Sequence, residues 1–216
     1  MTRIYYTCLT GDCDDLQAAP QLPPGWLTVC FTDRWRSAPN WRYVRLQANR
    51  DPRRASRRPK ILAHKWLSSA EITIYADANL SPRGNVDELV DRALANYDLA
   101  VYRHFARDCV YQEAAEVVRT GVADRKQVER QVAHYRNLGY PEHAGLAECG
   151  LLIRRHTKPV ADFEEFWWRE YECGCCRDQI SFPIAAWWAR LPVNYLPPLA
   201  NRQGDFIRRP HRNESD

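Results

Sequence analysis

The sequence predicts an α/β domain built on a mostly parallel central sheet with flanking helices. Short β-rich runs alternate with stretches of helical periodicity along most of the 216 residues. The runs end in polar or acidic residues, as strands do at the carboxyl rim of an open sheet. One stretch states the pattern most clearly, Glu71-Ile72-Thr73-Ile74-Tyr75-Ala76-Asp77-Ala78-Asn79-Leu80. Its β-formers pass directly into small and acidic residues, as a buried strand does where it stops at a loop.

Taken in order, residues 3–9 form a β-rich run broken by Thr10-Gly11-Asp12-Cys13-Asp14-Asp15. This is how the first βα unit of a nucleotide-binding sheet begins, although the chain holds neither G-x-G-x-x-G nor G-x-x-x-x-G-K-[ST]. After a loop at Pro20, Pro23, Pro24 and Gly25, residues 26–32 give a second strand ending at Asp33, and 41–46 a third, exposed one. Residues 53–67 suit a helix with Ile61, Leu62 and Trp66 on one face, its start limited by Pro59. The central strand follows. The clearest helix is 85–97, where Val86, Leu89, Val90, Ala93, Leu94 and Tyr97 share a face behind an Asn85 cap with Glu88 three residues on. A strand at 99–102 leads to His104. Helices at 110–120 and 123–138 follow, the second capped by Asp124 with Gln127. Residues 151–153 form a strand ended by Arg154-Arg155-His156-Thr157, and Asp162 caps a helix carrying Phe163, Phe166, Trp167 and Tyr171. A last helix carries Ile180, Ile184, Trp187, Trp188 and Leu191, with Asp178 near its start, and residues 192–198 break it. The domain is expected over 1–200, with 201–216 a loosely ordered polar tail.

Composition narrows the class. Hydrophobic residues make up 45% of the chain, enough for a globular core. No run reaches the ~18 apolar residues of a membrane helix. The amino terminus lacks the pattern of a signal peptide, so a cytoplasmic protein is expected. Reduced thiols are therefore expected among the eight cysteines. Cys173, Cys175 and Cys176 lack the gap and the second pair of a usual zinc site. Between residues 34 and 65 stand eleven Lys and Arg against one acid, Asp51, although the whole chain carries only +4. Such a block is a solvated face or meets an anionic partner, and nucleic acid and phosphorylated small molecules both fit.

If the strands are parallel, their polar ends converge: residues 10–12, Asp33, 77–79, His104 and His156. Asp77 and Asn79 are hard oxygen ligands two residues apart, suited to Mg²⁺ or Mn²⁺ carrying phosphate. The same pair also makes an ordinary Asx turn. Lys60 and His64 lead into the Asp77 strand and are candidates for phosphate contact.

These pieces together resemble a glycosyltransferase-like family first catalogued as a domain of unknown function. It includes plant proteins linked to seed mucilage and ceramide metabolism and bacterial polysaccharide hexosyltransferase-like proteins. The matching segments are Tyr6 to Gly11, Cys30 to Asp33, Arg58 to Ile61, Tyr75 to Asn79, and His104 with Arg107, Cys109, Tyr111 and Glu113. Gly145 to Glu148, Arg154 to His156 and Arg177 to Phe182 continue the match. The resemblance implies a Rossmann-like, GT-A-like nucleotide-diphospho-sugar transferase fold with a D-x-D-type metal motif. Asp77 takes its first position, and Asn79 stands where many such enzymes have Asp. It further implies transfer of a hexose-type sugar from a nucleotide-diphosphate donor to a glycan or other acceptor, assisted by Mn²⁺ or Mg²⁺. Asp77, Asn79 and His156 would hold the ion. Lys60, His64 and Arg107 would neutralise phosphate. Thr7, Gly11 and Asp33 would lie nearer the nucleoside. Asp178 would face the sugar or acceptor, or else serve as a helix cap. Two other readings stand beside this one: a non-catalytic polyanion or nucleic-acid binder using the basic block, and a hydrolase on the same fold.

Overall fold

The computed structural model describes residues 1–12, 14–47, 49–199 and 204–210. Its centre is a seven-stranded sheet. In chain order the strands are β1 (Arg3–Leu9), β2 (Trp26–Thr32), β3 (Arg42–Arg45), β4 (Ile72–Ala76), β6 (Leu99–Arg103), β7 (Ala147–Arg155) and β8 (Val193–Leu196). Their spatial order is β3-β2-β1-β4-β7-β6-β8. All pairings are parallel except those of β7, which runs antiparallel to both β4 and β6. Two short strands, β5 (Leu80–Pro82) and β9 (Phe206–Arg208), form a separate antiparallel pair.

Alternation along the strands divides the core into two faces. Tyr6, Cys8, Tyr75, Val101 and Leu152 point to one side. There they meet Ile61 of α1 (Pro52–Ile61), Phe163 and Trp167 of α6 (Lys158–Cys173) and Phe182 of α7 (Asp178–Trp188). Tyr5, Ile74, Ala100 and Ile153 point to the other, where α3 (Val86–Ala93) covers them with Leu89 and Val90. A third cluster joins α4 (Val110–Arg119) and α5 (Arg125–Asn137) to Ile180 and Ile184 of α7.

The helix expected over 53–67 is two pieces. Asp51 caps α1 by accepting from the Arg54 N–H, and Pro52 occupies the first turn. Pro59 sits inside the helix, and after Leu62 the chain begins again as α2 (Ala63–Trp66). Pro59 did not set the start because the Asp51 cap fixes it a full two turns earlier. α6 likewise starts at Lys158 rather than at Asp162, with Pro159 in its first turn.

Arg154 and Glu164, both fully buried, form an ion pair at 3.1 Å. Arg154 also donates to the Lys60 carbonyl at 2.8 Å and to the Tyr6 hydroxyl at 3.1 Å. Glu164 accepts from the His64 backbone N–H at 2.9 Å and faces His64 Nδ1 at 2.5 Å. The network locks the end of α1 to β7 and α6.

The tail departs from expectation. Phe206 is buried, and Arg83 N and Arg209 N donate across to Asp205 O and Asn79 O. Pairing with β5 thus orders residues 204–210, which short polar composition did not reveal. Residues 201–203 and 211–216 lie outside the described residues. Among the described residues no helix is long and apolar enough to cross a membrane.

Candidate functional site

Two clefts meet on the carboxyl rim of the sheet and share Asp77 and Arg57. The larger, about 420 Å³, lies between the end of β1 and the first turns of α1, with Gly11, Pro52, Arg53 and Ser56 in its wall. The smaller, about 180 Å³, is polar and includes Lys60, Glu148, Arg177, Asp178 and Arg208.

The turn after β1 is built for close approach. Gly11 adopts φ 66°, and a Cβ there would lie 3.3 Å from Pro52 Cβ. Its N–H donates to both Asp33 carboxylate oxygens, at 3.2 and 3.1 Å, and its carbonyl accepts from Arg36 at 2.7 Å. Asp33 therefore shapes the turn from behind. Thr7 is buried beside Asp77 and Ala78, and its hydroxyl has no hydrogen-bond partner among the described residues. The start of α1 opens onto the same cleft, and a helix amino terminus favours phosphate.

Asp178, at the first turn of α7, is buried in the smaller cleft. Lys60 Nζ is 2.5 Å from its carboxylate and Arg57 Nε 3.1 Å. Burial pushes this acid up, but Lys60 and Arg57 outweigh it and hold Asp178 well below the usual carboxylate range. Lys60 is 1% exposed. It also lies 3.8 Å from Asp77 Oδ1 and over the Tyr75 ring at 5.0 Å. Asp77 accepts from the Tyr75 hydroxyl at 2.6 Å. Burial pushes the Cys149 thiol up, which takes it out of consideration as a nucleophile.

Three residues expected here are placed elsewhere. His156 leaves β7 at the opposite rim, because β7 is antiparallel. It stands six residues from Gly150, about 20 Å at ~3.3 Å per residue, and its Nε2 faces Thr73 Oγ1 at 3.1 Å. His64 is held by Glu164 and by Glu165 at 3.2 Å, on the side away from the clefts. Arg107 donates to Glu113 at 2.7 Å, and Glu113 in turn lies 3.6 Å from Arg177. Arg107 thus braces the cleft wall without lining it.

The two histidines carry opposite pH signatures. The Glu164 hydrogen bond raises His64, so its stabilisation is present below 6.5 and lost as pH rises through its higher folded value. Burial lowers His156 to about 4, so its contribution is present above 6.5 and lost as pH falls toward 4. In melting curves from pH 4 to 7, His156→Asn is expected to lose less stability on acidification than the wild type.

The ligands expected for a divalent ion are not assembled. Asp77 brings one carboxylate, already facing Lys60 and the Tyr75 hydroxyl. Asn79 brings a neutral amide whose Nδ2 donates to the Arg209 carbonyl at 3.1 Å. Asp178 and Glu148 are each paired with cationic side chains. No group of three His, Cys, Asp or Glu suited to a metal gathers among the described residues. With its acids already facing Lys60, Arg57 and Arg208, this donor set is a poor fit for a hard divalent cation.

Residues 30–195 match the family described as TOD1/MUCI70, glycosyltransferase-like domain. The chain belongs to this family. Within reach of the same match, the probable hexosyltransferase MUCI70 of Arabidopsis thaliana is 26% identical over 180 residues, covering 77% of this chain and 31% of that protein. The chain thus spans under a third of that relative's length. Among solved structures, the WbbM bifunctional glycosyltransferase superposes with a TM-score of 0.55 at 10% identity, over 90% of this chain and 38% of that one. That likeness bears on the fold, which is GT-A-like as the resemblance implied.

Arg57, Glu148, Arg177, Gln179 and Arg208 line the smaller cleft without having been given a site role there in the sequence, although Glu148, Arg177 and Gln179 stood in the matching segments. Arg57 was legible in part, since it lies three residues before Lys60 and so shares its helix face. Arg177 and Gln179 flank Asp178. Glu148 and Arg208 pair with each other, and only the fold joins them. Gly150 allows Asp77 its place: a Cβ at 150 would sit 3.1 Å from Asp77 Oδ2. Residues 149–151 lie where the β6–β7 register shifts, a bulge beside the site. Gly150→Ala is expected to displace the Asp77 carboxylate and lower transfer about tenfold with little change in melting temperature. A steady-state assay beside a thermal scan checks it.

Proposed function

We propose that this domain is a glycosyltransferase that moves a hexose-type sugar from a nucleotide-diphosphate donor to a glycan or other acceptor hydroxyl. The observation that carries the reading is the junction of the two clefts at Asp77 and Arg57. The larger has a glycine turn and a helix amino terminus for the nucleoside diphosphate. The smaller has room and polarity for the sugar, with Asp178 in its wall. Family membership supports the reaction class.

In this reading the bond between the anomeric carbon and the diphosphate oxygen breaks, and its electron pair leaves on the diphosphate. A bond forms from the acceptor hydroxyl oxygen to that carbon. Asp178 is held ionised by Lys60 and Arg57, so it is a poor proton acceptor and serves better to stabilise positive charge at the anomeric carbon. The acceptor proton then passes to the departing diphosphate. The polyanion-binding alternative is weakened because much of the basic block turns inward or pairs. Arg34 meets Asp12, Arg36 the β1 turn, Arg54 Glu172, Arg57 and Lys60 Asp178, and Lys65 Glu165.

The test is a thermal-shift panel of nucleoside diphosphates with and without Mn²⁺, on the wild type and Asp77→Ala, followed by product analysis with the matching nucleotide sugar. Stabilisation of the wild type by one nucleotide, altered in Asp77→Ala, is the expected result. Glycosylated product distinguishes transfer from hydrolysis to free sugar. No shift with any nucleotide would refute the reading.

A further inference from the structure

We infer that the charge developing on a departing diphosphate is met by Lys60 and Arg57 rather than by a divalent ion, and that Lys60 changes partner in the reaction, from Asp178 to the diphosphate. The inference rests on the proposed glycosyl transfer and names how its leaving group is stabilised.

Several observations converge on it. The position that would hold the metal offers a single carboxylate and a neutral amide, and His156 is at the other rim. The cations are already in place. Arg57, Lys60, Arg177 and Arg208 line the smaller cleft against Asp77, Glu148 and Asp178, a formal excess of one positive charge. A diphosphate diester reaching the seam brings two negative charges, which leaves the smaller cleft and that ligand at a formal −1 on the protein's own side chains. A divalent ion added to this cleft would sit among four cations, and each of its three carboxylates already faces one of them.

Lys60 is positioned for the exchange. Its Nζ lies between two acids, 2.5 Å from Asp178 and 3.8 Å from Asp77, at the seam of the two clefts. A buried ammonium is costly unless paired, and here it is paired on both sides. Its backbone is fixed by Arg154, which holds the Lys60 carbonyl, so the side chain alone is left to swing. Arg57 lines both clefts and is the second cation that a diphosphate would touch on crossing the seam. When Lys60 turns to the diphosphate, Asp178 loses one counter-charge and faces the anomeric carbon as that carbon becomes positive. The bond from that carbon to the diphosphate breaks with its electron pair on the leaving oxygen. The acceptor oxygen takes its place, and the acceptor proton goes to the diphosphate. No step requires a further reagent.

The experiment is isothermal titration of the whole chain with uridine, guanosine, adenosine, cytidine and thymidine diphosphates, in EDTA and in Mn²⁺. One nucleotide is expected to bind in EDTA within about threefold of its affinity in Mn²⁺, and Lys60→Met and Arg57→Gln each to weaken binding in EDTA by about tenfold. Arg45→Gln, on the exposed strand β3, controls for loss of surface charge and should bind as the wild type does. Binding that appears in Mn²⁺ and vanishes in EDTA would overturn this inference and leave the proposed transfer standing. Binding in EDTA unchanged by both Lys60→Met and Arg57→Gln would overturn it too. No binding in either condition would overturn both. If Lys60→Met does not fold, the wild-type comparison and Arg57→Gln still decide.

Discussion

Asp178→Asn is expected to lower transfer by about 10²–10³-fold, the scale on which a preorganised charge facing the transition state is felt. The same variant is expected to bind the nucleoside diphosphate more tightly than the wild type. The two effects share one cause. In the proposed transfer Asp178 competes with the diphosphate for Lys60 and Arg57, whose ion pairs with it are 2.5 and 3.1 Å long. Neutralising the acid releases both cations to the ligand and removes the negative charge that the anomeric carbon needs. Steady-state kinetics and titration on the same preparation measure the pair. Weakened transfer together with weakened binding would instead mean that the cleft had collapsed around two unmatched cations. A residue that only capped α7 would move the melting temperature and leave the ratio of the two constants alone.

Glu164→Leu is expected to destabilise the fold by about 3–5 kcal/mol, because it leaves the buried Arg154 guanidinium without its counter-charge. Both partners are fully buried, so solvent cannot make up the loss. The same change removes the acceptor of the His64 backbone N–H. Chemical denaturation measures the cost. Arg154→Met together with Glu164→Leu should recover most of it, since an apolar pair of similar volume replaces a buried ion pair at little expense. Failure of the double variant to recover would indicate that the Arg154 bond to the Lys60 carbonyl carries the stability instead.

Much of the architecture was legible in order along the chain. The β-rich run before Asp77, the apolar face of 86–97 and the paired helices at 110–138 are set by local periodicity, and local periodicity is what a sequence displays. Asp77, Asn79, Lys60 and Asp178 were legible as neighbours, since the structure brings all four to one cleft. Thr7, Gly11 and Asp33 also gather at the neighbouring end of β1. What periodicity does not display is strand direction. A β-strand reads the same whichever way it runs, and β7 runs against its neighbours. That single reversal sends His156 to the far rim and brings Glu148 and Gly150 to Asp77 in its place.

Charge followed the same division. The excess of basic residues between 34 and 65 belongs to the sequence, and so does the helix face shared by Arg57 and Lys60. Which of those cations face solvent and which face an acid was decided only when α1 was docked by Arg154 and α7 laid Asp178 against it. The tail is the last case. Residues 206–208, Phe-Ile-Arg, are too short a run within a polar tail to announce a strand. β5 supplies the ladder, and pairing with it carries Arg208 to Glu148 across the cleft, because an edge strand's open hydrogen bonds are completed by whichever segment the fold brings alongside.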